Sequence, residues 1–290
     1  MQTQLLKWHS DRKTIELGAD WSGQGPRVLL LPALSSISTR SEMRPLQERL
    51  SATYQTLAID WPGFGNQPRP PLDWRPEIYS NFLTYVIGTV APPLHAVIAA
   101  GHAATFALAH ACSHPRSFNR LVLLSPTWRG PLPTMMNGQR PFFDHLCRMV
   151  DQPLIGPLLY KMNVNRTVIR HMAAGHVYAD PAWLTPERWH EKLAVTRAPG
   201  ARYSSIRFVA GKLDPLATRE EFLELARRAT IPRMMIYGAQ TPSRSRAEME
   251  ALAAVSGERS VCLPLGKLGL HEEFHNFVAE AIEPFLIDNS

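Results

Sequence analysis

Short apolar runs that alternate with helical patterns are the feature that most constrains the fold of this chain. The runs lie at residues 27–31, 56–59, 95–100, 120–125, 233–238 and 260–264. Runs of this length between turn residues are typical of strands that are covered on both faces. Helical patterns separate them at residues 41–52, 76–90, 104–112, 219–228 and 246–254. The alternation predicts an α/β protein with a mostly parallel central sheet and helices on both faces.

Two parts of the chain depart from this alternation. Residues 4–9 and 13–18 are predicted to form two edge strands. From residue 127 to about 200 the alternation stops, in a stretch rich in Pro, Met and Trp. We interpret 127–200 as a helical cap inserted after the sixth strand, and residues 1–126 and 201–290 as the core. The cap methionines are expected to line an adaptable apolar pocket or to form the cap's own core. They are Met135, Met136, Met149, Met162 and Met172.

Charge and cysteine content narrow the range of partners. The chain has 31 Lys and Arg against 25 Asp and Glu, a net charge of +6 that favours anionic surfaces or ligands. The basic residues are scattered, so we interpret them as a solvated surface and expect no nucleic-acid partner. The cysteines Cys112, Cys147 and Cys262 are odd in number and widely spaced. This spacing predicts neither disulfides nor a metal site, and no motif calls for a cofactor.

The location of the protein is predicted from the absence of targeting patterns. The first residues lack a basic region followed by a long apolar run, which a signal peptide requires. No segment approaches the ~20 apolar residues that span a bilayer, so no transmembrane segment is expected. We therefore expect a cytoplasmic protein.

Three motifs, in a fixed order along the chain, resemble landmarks of the α/β-hydrolase superfamily from about residue 25 onward. Residues 60–65 follow a strand as D-x-x-G-x-G. Residues 101–105, Gly-His-Ala-Ala-Thr, stand where the family places its nucleophile elbow, G-x-S-x-G. Residues 268–271, Leu-Gly-Leu-His, precede a final helix and resemble the family's histidine loop. The resemblance implies an α/β-hydrolase fold with a cap, and a triad of nucleophile, acid and histidine in chain order.

Two of the three triad positions carry residues that cannot perform the family's chemistry. Ala103 matches the nucleophile, and a methyl group can neither attack a carbonyl nor be activated by a base. Thr241 matches the acid, whereas His271 matches the histidine and would be a relic base. Loss of the nucleophile alone lowers the rate of a triad enzyme on the order of 10⁶-fold, or roughly 8 kcal/mol of barrier. An engineered exchange would explain Ala103 but not Thr105 or Thr241, so natural loss is favoured.

Further residues are candidates for binding around this site. The amides of Leu34 and Ala104 are candidate oxyanion donors, because that role needs backbone N–H groups and no particular side chain. Ser35 lies in the same loop and is a weak candidate nucleophile. His102 is expected to pack beside the turn. Asp214 is either a displaced acid or, as we favour, a turn residue.

These positions support three hypotheses about function. The leading one is a catalytically impaired pseudoenzyme that binds a small apolar ligand, or a protein partner, in the pocket between cap and core. The alternative is an active hydrolase or lyase on an ester- or thioester-type carbonyl, using His271 with water or an unconventional nucleophile. The third is a scaffold recruited for its surface, which predicts a filled pocket. Ligand identity and oligomeric state do not follow from the sequence.

Overall fold

Eight strands form one sheet in the computed structural model, which describes residues 1–11, 13–256 and 259–287. In chain order they are β1 (Gln2–Ser10), β2 (Lys13–Ser22), β3 (Arg27–Leu31), β4 (Gln55–Ile59), β5 (Leu94–Ala100), β6 (Phe118–Leu124), β7 (Arg233–Gly238) and β8 (Arg259–Leu263). Their order across the sheet is β1-β2-β4-β3-β5-β6-β7-β8. Strand β2 pairs antiparallel with β1 and β4, and every other neighbouring pair is parallel. The prediction of a mostly parallel sheet is confirmed.

Thirteen α-helices accompany the strands in the described ranges. They are α1 (Arg44–Leu50), α2 (Pro76–Tyr85), α3 (Ala103–Ser113), α4 (Pro131–Met135), α5 (Phe142–Asp151), α6 (Gly156–Asn163), α7 (Arg166–Met172), α8 (Pro186–Arg197), α9 (Ala201–Val209), α10 (Arg219–Arg228), α11 (Ser243–Ser256), α12 (Leu270–Glu273) and α13 (His275–Ile287). A short 3₁₀ turn, Arg40–Met43, precedes α1. No helix in the described ranges is both long enough and apolar enough to traverse a bilayer.

Alternation along the central strands divides the core into two layers. In β5 the side chains of Val97 and Ala99 pack in one apolar cluster, whereas Ala96, Ile98 and Ala100 pack in the other. This follows from the two-residue period of a strand, which sends successive side chains to opposite faces. Helices α2, α3, α10 and α11 contribute to the first cluster, and α1, α12 and α13 to the second. Because β3, β5, β6 and β7 are parallel neighbours, their carboxyl ends lie at one edge of the sheet, beneath the cap.

We use the term cap for helices α4–α9, which lie between β6 and α10. Its own core is formed by Phe143, Cys147 and Val150 of α5 with Ile206 and Ala210 from α9 and its end. Helix α9 contacts α4, α5, α6 and α8, whereas α10 contacts α3 and α11 of the core. Helix α9 thus packs as part of the cap, although the predicted division at residue 200 places it in the core; that division stays a prediction.

The five cap methionines are all exposed to solvent, which contradicts the expectation that they form the core of the cap. They are Met135, Met136, Met149, Met162 and Met172. The buried positions of α5 are held by Phe143, Cys147 and Val150 instead. The cap therefore presents an unusual amount of apolar side chain on its surface.

Candidate functional site

The D-x-x-G-x-G motif fixes the loop after β4. The buried carboxylate of Asp60 accepts hydrogen bonds from Thr39 Oγ1 at 2.8 Å and the Arg40 backbone N–H at 2.7 Å. It also pairs with Arg40 Nη1 at 2.6 Å, and Arg40 Nε pairs with Asp20 at 2.9 Å. Gly65 has φ +79°, and a Cβ there would lie 2.4 Å from Asp60 Cγ, so only glycine fits. The motif is structural here and positions the loop beside the sheet edge.

The turn between β5 and α3 is sharpest at Gly101. Gly101 has φ +52°, and a Cβ on it would lie 3.1 Å from Ala33 Cβ and 3.9 Å from Thr127 Oγ1. It therefore faces the loop after β3 and the end of β6. Ala103 lies two residues later, fully buried in the first turn of α3. The assignment of the nucleophile position to Ala103 stays a prediction, and the backbone offers Gly101 as the alternative. Neither residue carries a nucleophilic atom.

His102 packs in an aromatic environment beside this turn. Its ring lies 6.0 Å from the ring of Phe106 and 5.7 Å from that of Phe208, in edge-on arrangements. Burial lowers the pKa of His102 to about 4, so the ring is neutral near pH 7. Its Nε2 lies 3.3 Å from Asp214 Oδ1, and both Asp214 oxygens accept the Gly130 N–H at 3.0 and 3.1 Å. Asp214 therefore holds a turn and contacts His102, in keeping with the favoured structural role.

The two predicted oxyanion amides have different surroundings. The Ala104 N–H donates to Gly101 O at 3.2 Å in the first turn of α3. The Leu34 amide has no hydrogen-bond partner within the described ranges. Ser35 stabilises its own turn: its Oγ accepts the Ile37 N–H at 3.4 Å. Both oxyanion assignments stay predictions, and of the two amides that of Leu34 is the one without a bond inside the described part of the protein.

His271 is buried at the start of α12 and faces a carboxylate that the sequence analysis missed. Its Nε2 lies 3.7 Å from Glu42 Oε1, and the same oxygen accepts the Ala33 N–H at 2.9 Å. Thr241 Oγ1 and both ring nitrogens of His271 lack a hydrogen-bond partner among the described residues, so no bond joins them. In a triad the histidine turns Nδ1 to the acid and Nε2 to the nucleophile. Glu42 therefore lies on the nucleophile's side of the ring, and it does not replace the acid.

A buried lysine from the cap completes the arrangement, which we call the Lys192 cluster (Glu42, Tyr178, Lys192, His271 and Glu272). Lys192, on α8, is 3% exposed and places Nζ 3.0 Å from Glu272 Oε2 and 3.5 Å from Glu42 Oε2. The Tyr178 hydroxyl donates to Glu272 Oε2 at 2.7 Å. Two carboxylates, one ammonium and one imidazole thus share a buried space between cap and core.

The pKa shifts in the Lys192 cluster show which groups are charged. Burial alone would raise the pKa of Glu42, but Lys192, His271 and the Ala33 amide bring it below its ordinary value. Burial alone would lower the pKa of Lys192, but Glu272, Tyr178 and Glu42 hold it well above its ordinary value. Burial raises the pKa of Tyr178 well above 10.0, so the phenol remains a hydrogen-bond donor. Lys192 and Glu42 are therefore ionised at neutral pH.

Further bonds tie the cap segment at 176–180 to the histidine loop. The Leu268 and Gly269 amides donate to His176 O and Val177 O at 3.2 and 2.8 Å. The carboxylate of Glu273 accepts the amides of residues 179 and 180 at 2.8 and 2.6 Å. With Lys192, these bonds hold the cap against the core directly over the candidate site.

Two cavities are found elsewhere on the surface. One lies beside α10 and is lined by Leu216, Glu221 and Arg228, and the other lies between Trp128 and Glu248. Neither is lined by a member of the Lys192 cluster. In the described ranges no group of three His, Cys, Asp or Glu side chains is arranged to hold a metal ion.

Comparison with known proteins agrees with this architecture. A family model described as the alpha/beta hydrolase family matches residues 28–280. The chain therefore belongs to the alpha/beta hydrolase family, and the resemblance drawn from the three motifs is confirmed. A search of curated protein sequences found no significant match.

Solved structures with the same fold span nearly the whole chain at low identity. A Cif epoxide hydrolase from Acinetobacter nosocomialis has a TM-score of 0.75 at 17% identity, covering 98% of this chain and 89% of that one. A hydrolase from Pseudomonas aeruginosa PA01 has a TM-score of 0.71 at 18% identity, covering 98% of both chains. A thermophilic esterase from Thermogutta terrifontis has a TM-score of 0.70 at 16% identity, covering 99% and 98%. At these identities the likeness establishes the fold alone.

Proposed function

We propose that this chain is a non-hydrolytic member of the alpha/beta hydrolase family. The observation that carries the proposal is the Lys192 cluster, in which Glu42, paired with Lys192, lies 3.7 Å from His271 Nε2, the nitrogen that a triad enzyme turns toward its nucleophile. Around it, Gly101 and Ala103 offer no nucleophile and Thr241 offers no carboxylate. The His271 ring thus has an ion pair beside it in place of a reacting group.

The energetics of the cluster support a site that stays closed. A substrate carbonyl could approach His271 only after Glu42 or Lys192 had moved away. Leaving one partner of a buried ion pair unpaired costs about 3–5 kcal/mol. That cost would be added to the barrier left by the missing nucleophile, and both act against turnover.

The same cluster disfavours a small apolar ligand between cap and core. An apolar molecule placed there would have to face ionised Glu42 and Lys192 without satisfying either charge. A buried ion pair beside His271, in place of an apolar pocket, agrees with the third hypothesis from the sequence, a fold used for its surface. We therefore propose that the protein works by binding a partner surface and that the buried cluster fixes the shape of the cap.

A second candidate function rests on the contact between Glu42 and His271. A carboxylate 3.7 Å from an imidazole Nε2 is a pair that could draw a proton from a water molecule admitted between them. This would be hydrolysis of an activated ester or thioester without a covalent intermediate. It requires the cap to open.

Turnover of activated esters by the full chain and two variants separates the two functions. If the protein is non-hydrolytic, the rate of ester hydrolysis equals that of buffer with an inert protein for the wild type and for both variants, His271→Ala and Glu42→Gln. For general-base catalysis, wild type exceeds the blank, His271→Ala abolishes the excess and Glu42→Gln lowers it. Glu191→Gln serves as a matched control on α8, since its pair with Arg44 is exposed and lies outside the Lys192 cluster.

A further inference from the structure

The exposed apolar side chains of this protein are concentrated on one part of the cap. Of fourteen large apolar residues exposed in the described chain, nine lie between residues 135 and 172. They are Met135, Met136, Phe142, Met149, Leu154, Ile155, Leu158, Met162 and Met172. Concentrated apolar surface of this kind is typical of sites that contact a partner or a membrane.

The most exposed of these residues lie on α6 and in the turn that leads into it. Leu158 and Met162 are four residues apart on one face of α6 and are 62% and 63% exposed, and Leu154, in the turn before the helix, is 89% exposed. Ile155 and Met149, at the start of α6 and the end of α5, are exposed beside them. We call these five residues the cap patch. Helices α5 and α6 contact each other and both pack on α9, so the patch rests on a rigid base.

Basic residues without a carboxylate partner in the described ranges occur in the same helices as the cap patch and in α7, where Arg166 and Arg170 lie over the Trp189 ring. Exposed basic residues lie on α5, α6 and α7 or just before them: Arg140, Arg148, Lys161, Arg166 and Arg170. None of these five has a carboxylate within 4.0 Å in the described ranges. The two acidic residues of α5 are paired with basic residues on α9 or just after it. Asp151 pairs with Arg207 and Asp144 with Lys212, each at 2.8 Å. This part of the cap therefore combines exposed apolar side chains with exposed positive charges, which we call its positive rim.

We propose that the cap patch docks on an anionic lipid surface. Apolar side chains on one face of a helix with Lys and Arg beside them are the pattern of helices that lie in the plane of a membrane interface. Each basic residue near an anionic bilayer strengthens binding by about fivefold. A second copy of the chain fits less well, because a symmetric contact would bring the same positive rims together. This inference is independent of whether the protein hydrolyses esters.

Co-sedimentation of the full chain with vesicles tests the proposal. The chain is expected to bind vesicles of phosphatidylcholine with phosphatidylserine much more tightly than vesicles of phosphatidylcholine alone. Leu154→Ser with Leu158→Ser is expected to weaken binding on the order of 100-fold, because two leucines no longer enter the interface. Arg148→Gln with Lys161→Gln is expected to weaken it about 30-fold, and raised salt to act in the same direction.

Matched controls use exposed residues of the core. Leu265→Ser with Phe277→Ser removes two exposed apolar side chains outside the cap, and Arg116→Gln with Arg228→Gln removes two exposed charges. Both pairs are expected to bind vesicles like wild type. The thermal midpoint of each variant is measured alongside, and Leu158→Ser alone is a milder test should the cap pair unfold.

Three results would overturn the proposal. The first is the absence of binding to the phosphatidylserine vesicles, and the second is equal loss of binding in the cap and core variants. The third is a wild-type chain that is dimeric by analytical ultracentrifugation and becomes monomeric with Leu154→Ser and Leu158→Ser. In that case a second copy covers the patch.

Discussion

Removal of the buried lysine is the perturbation with the largest effect that the structure predicts. In Lys192→Met the side-chain volume is kept while the ammonium between Glu272 (3.0 Å) and Glu42 (3.5 Å) is lost. Two buried carboxylates then lie next to each other without the ammonium between them. Breaking a buried pair in this way costs about 3–5 kcal/mol of folding free energy. For a domain of this size, the thermal midpoint should fall on the order of 10 °C.

The pH dependence of this loss has a defined sign. In the wild type the pKa of Glu42 is lowered, so its ionised form stabilises the fold above the ordinary value of 4.5, and that stability is lost as the pH falls. In the variant burial prevails and the pKa of Glu42 is expected to rise, so ionisation destabilises the variant as the pH rises. The deficit of Lys192→Met should therefore be largest near neutral pH and shrink toward pH 4.5.

Urea unfolding of wild type and Lys192→Met at both ends of this pH range measures the effect. Glu191→Gln is the matched control, because Glu191 is the neighbouring residue on α8 and its pair with Arg44, at 3.7 Å, is exposed. That change should alter the free energy of unfolding by less than about 1 kcal/mol. Equal unfolding midpoints for wild type and Lys192→Met, or a deficit that grows toward low pH, would refute the reasoning.

Three further predictions concern the loops around the site. Burial raises the pKa of Asp214 from 3.8 to about 7, so ionisation between these pH values favours the unfolded chain. The free energy of unfolding of the wild type should therefore fall on the order of 4 kcal/mol as the pH rises through this range. Asp214→Asn should remove most of that fall, which urea unfolding at several pH values measures. Gly65→Ala should cost at least about 2 kcal/mol in thermal unfolding, from the positive φ and the contact with Asp60 Cγ, and a wild-type midpoint would contradict this. Ala103→Ser alone should give little ester hydrolysis, because Thr241 cannot fix the imidazole tautomer as a carboxylate does, whereas Ala103→Ser with Thr241→Asp should give measurably more than either change alone. Equal rates for the single and double variants would contradict that mechanism.

The fold was accessible from the sequence because its signals are local. Each parallel strand is a short apolar run with turn residues at its ends. In β5 the run is continuous because helices cover both faces of the sheet, so that side chains on either face are buried. The D-x-x-G-x-G motif can be recognised from the sequence for the same reason. Asp60, which supplies the carboxylate, and Gly65, which supplies the positive φ, lie within six residues of each other.

The candidate site was only partly accessible, because its decisive contacts are long-range. Glu42 and Lys192 are 150 residues apart in the chain and each occurs in a helical pattern with other charges, where a solvated side chain is the usual interpretation. Their pairing depends on how the cap packs on the core. The same cause explains the cap methionines, since an apolar residue in a helical pattern predicts burial only if the packing partners of that helix are known.

Closure of the space in front of His271, and with it the loss of hydrolysis, is the property on which the proposed function depends. Its most direct test follows the wild-type chain at high protein concentration with a panel of activated acyl esters, measuring product release and the intact mass of the protein together. We expect release no faster than with His271→Ala and an unchanged protein mass. Release that disappears in His271→Ala, or a gain in mass of one acyl group, would contradict it.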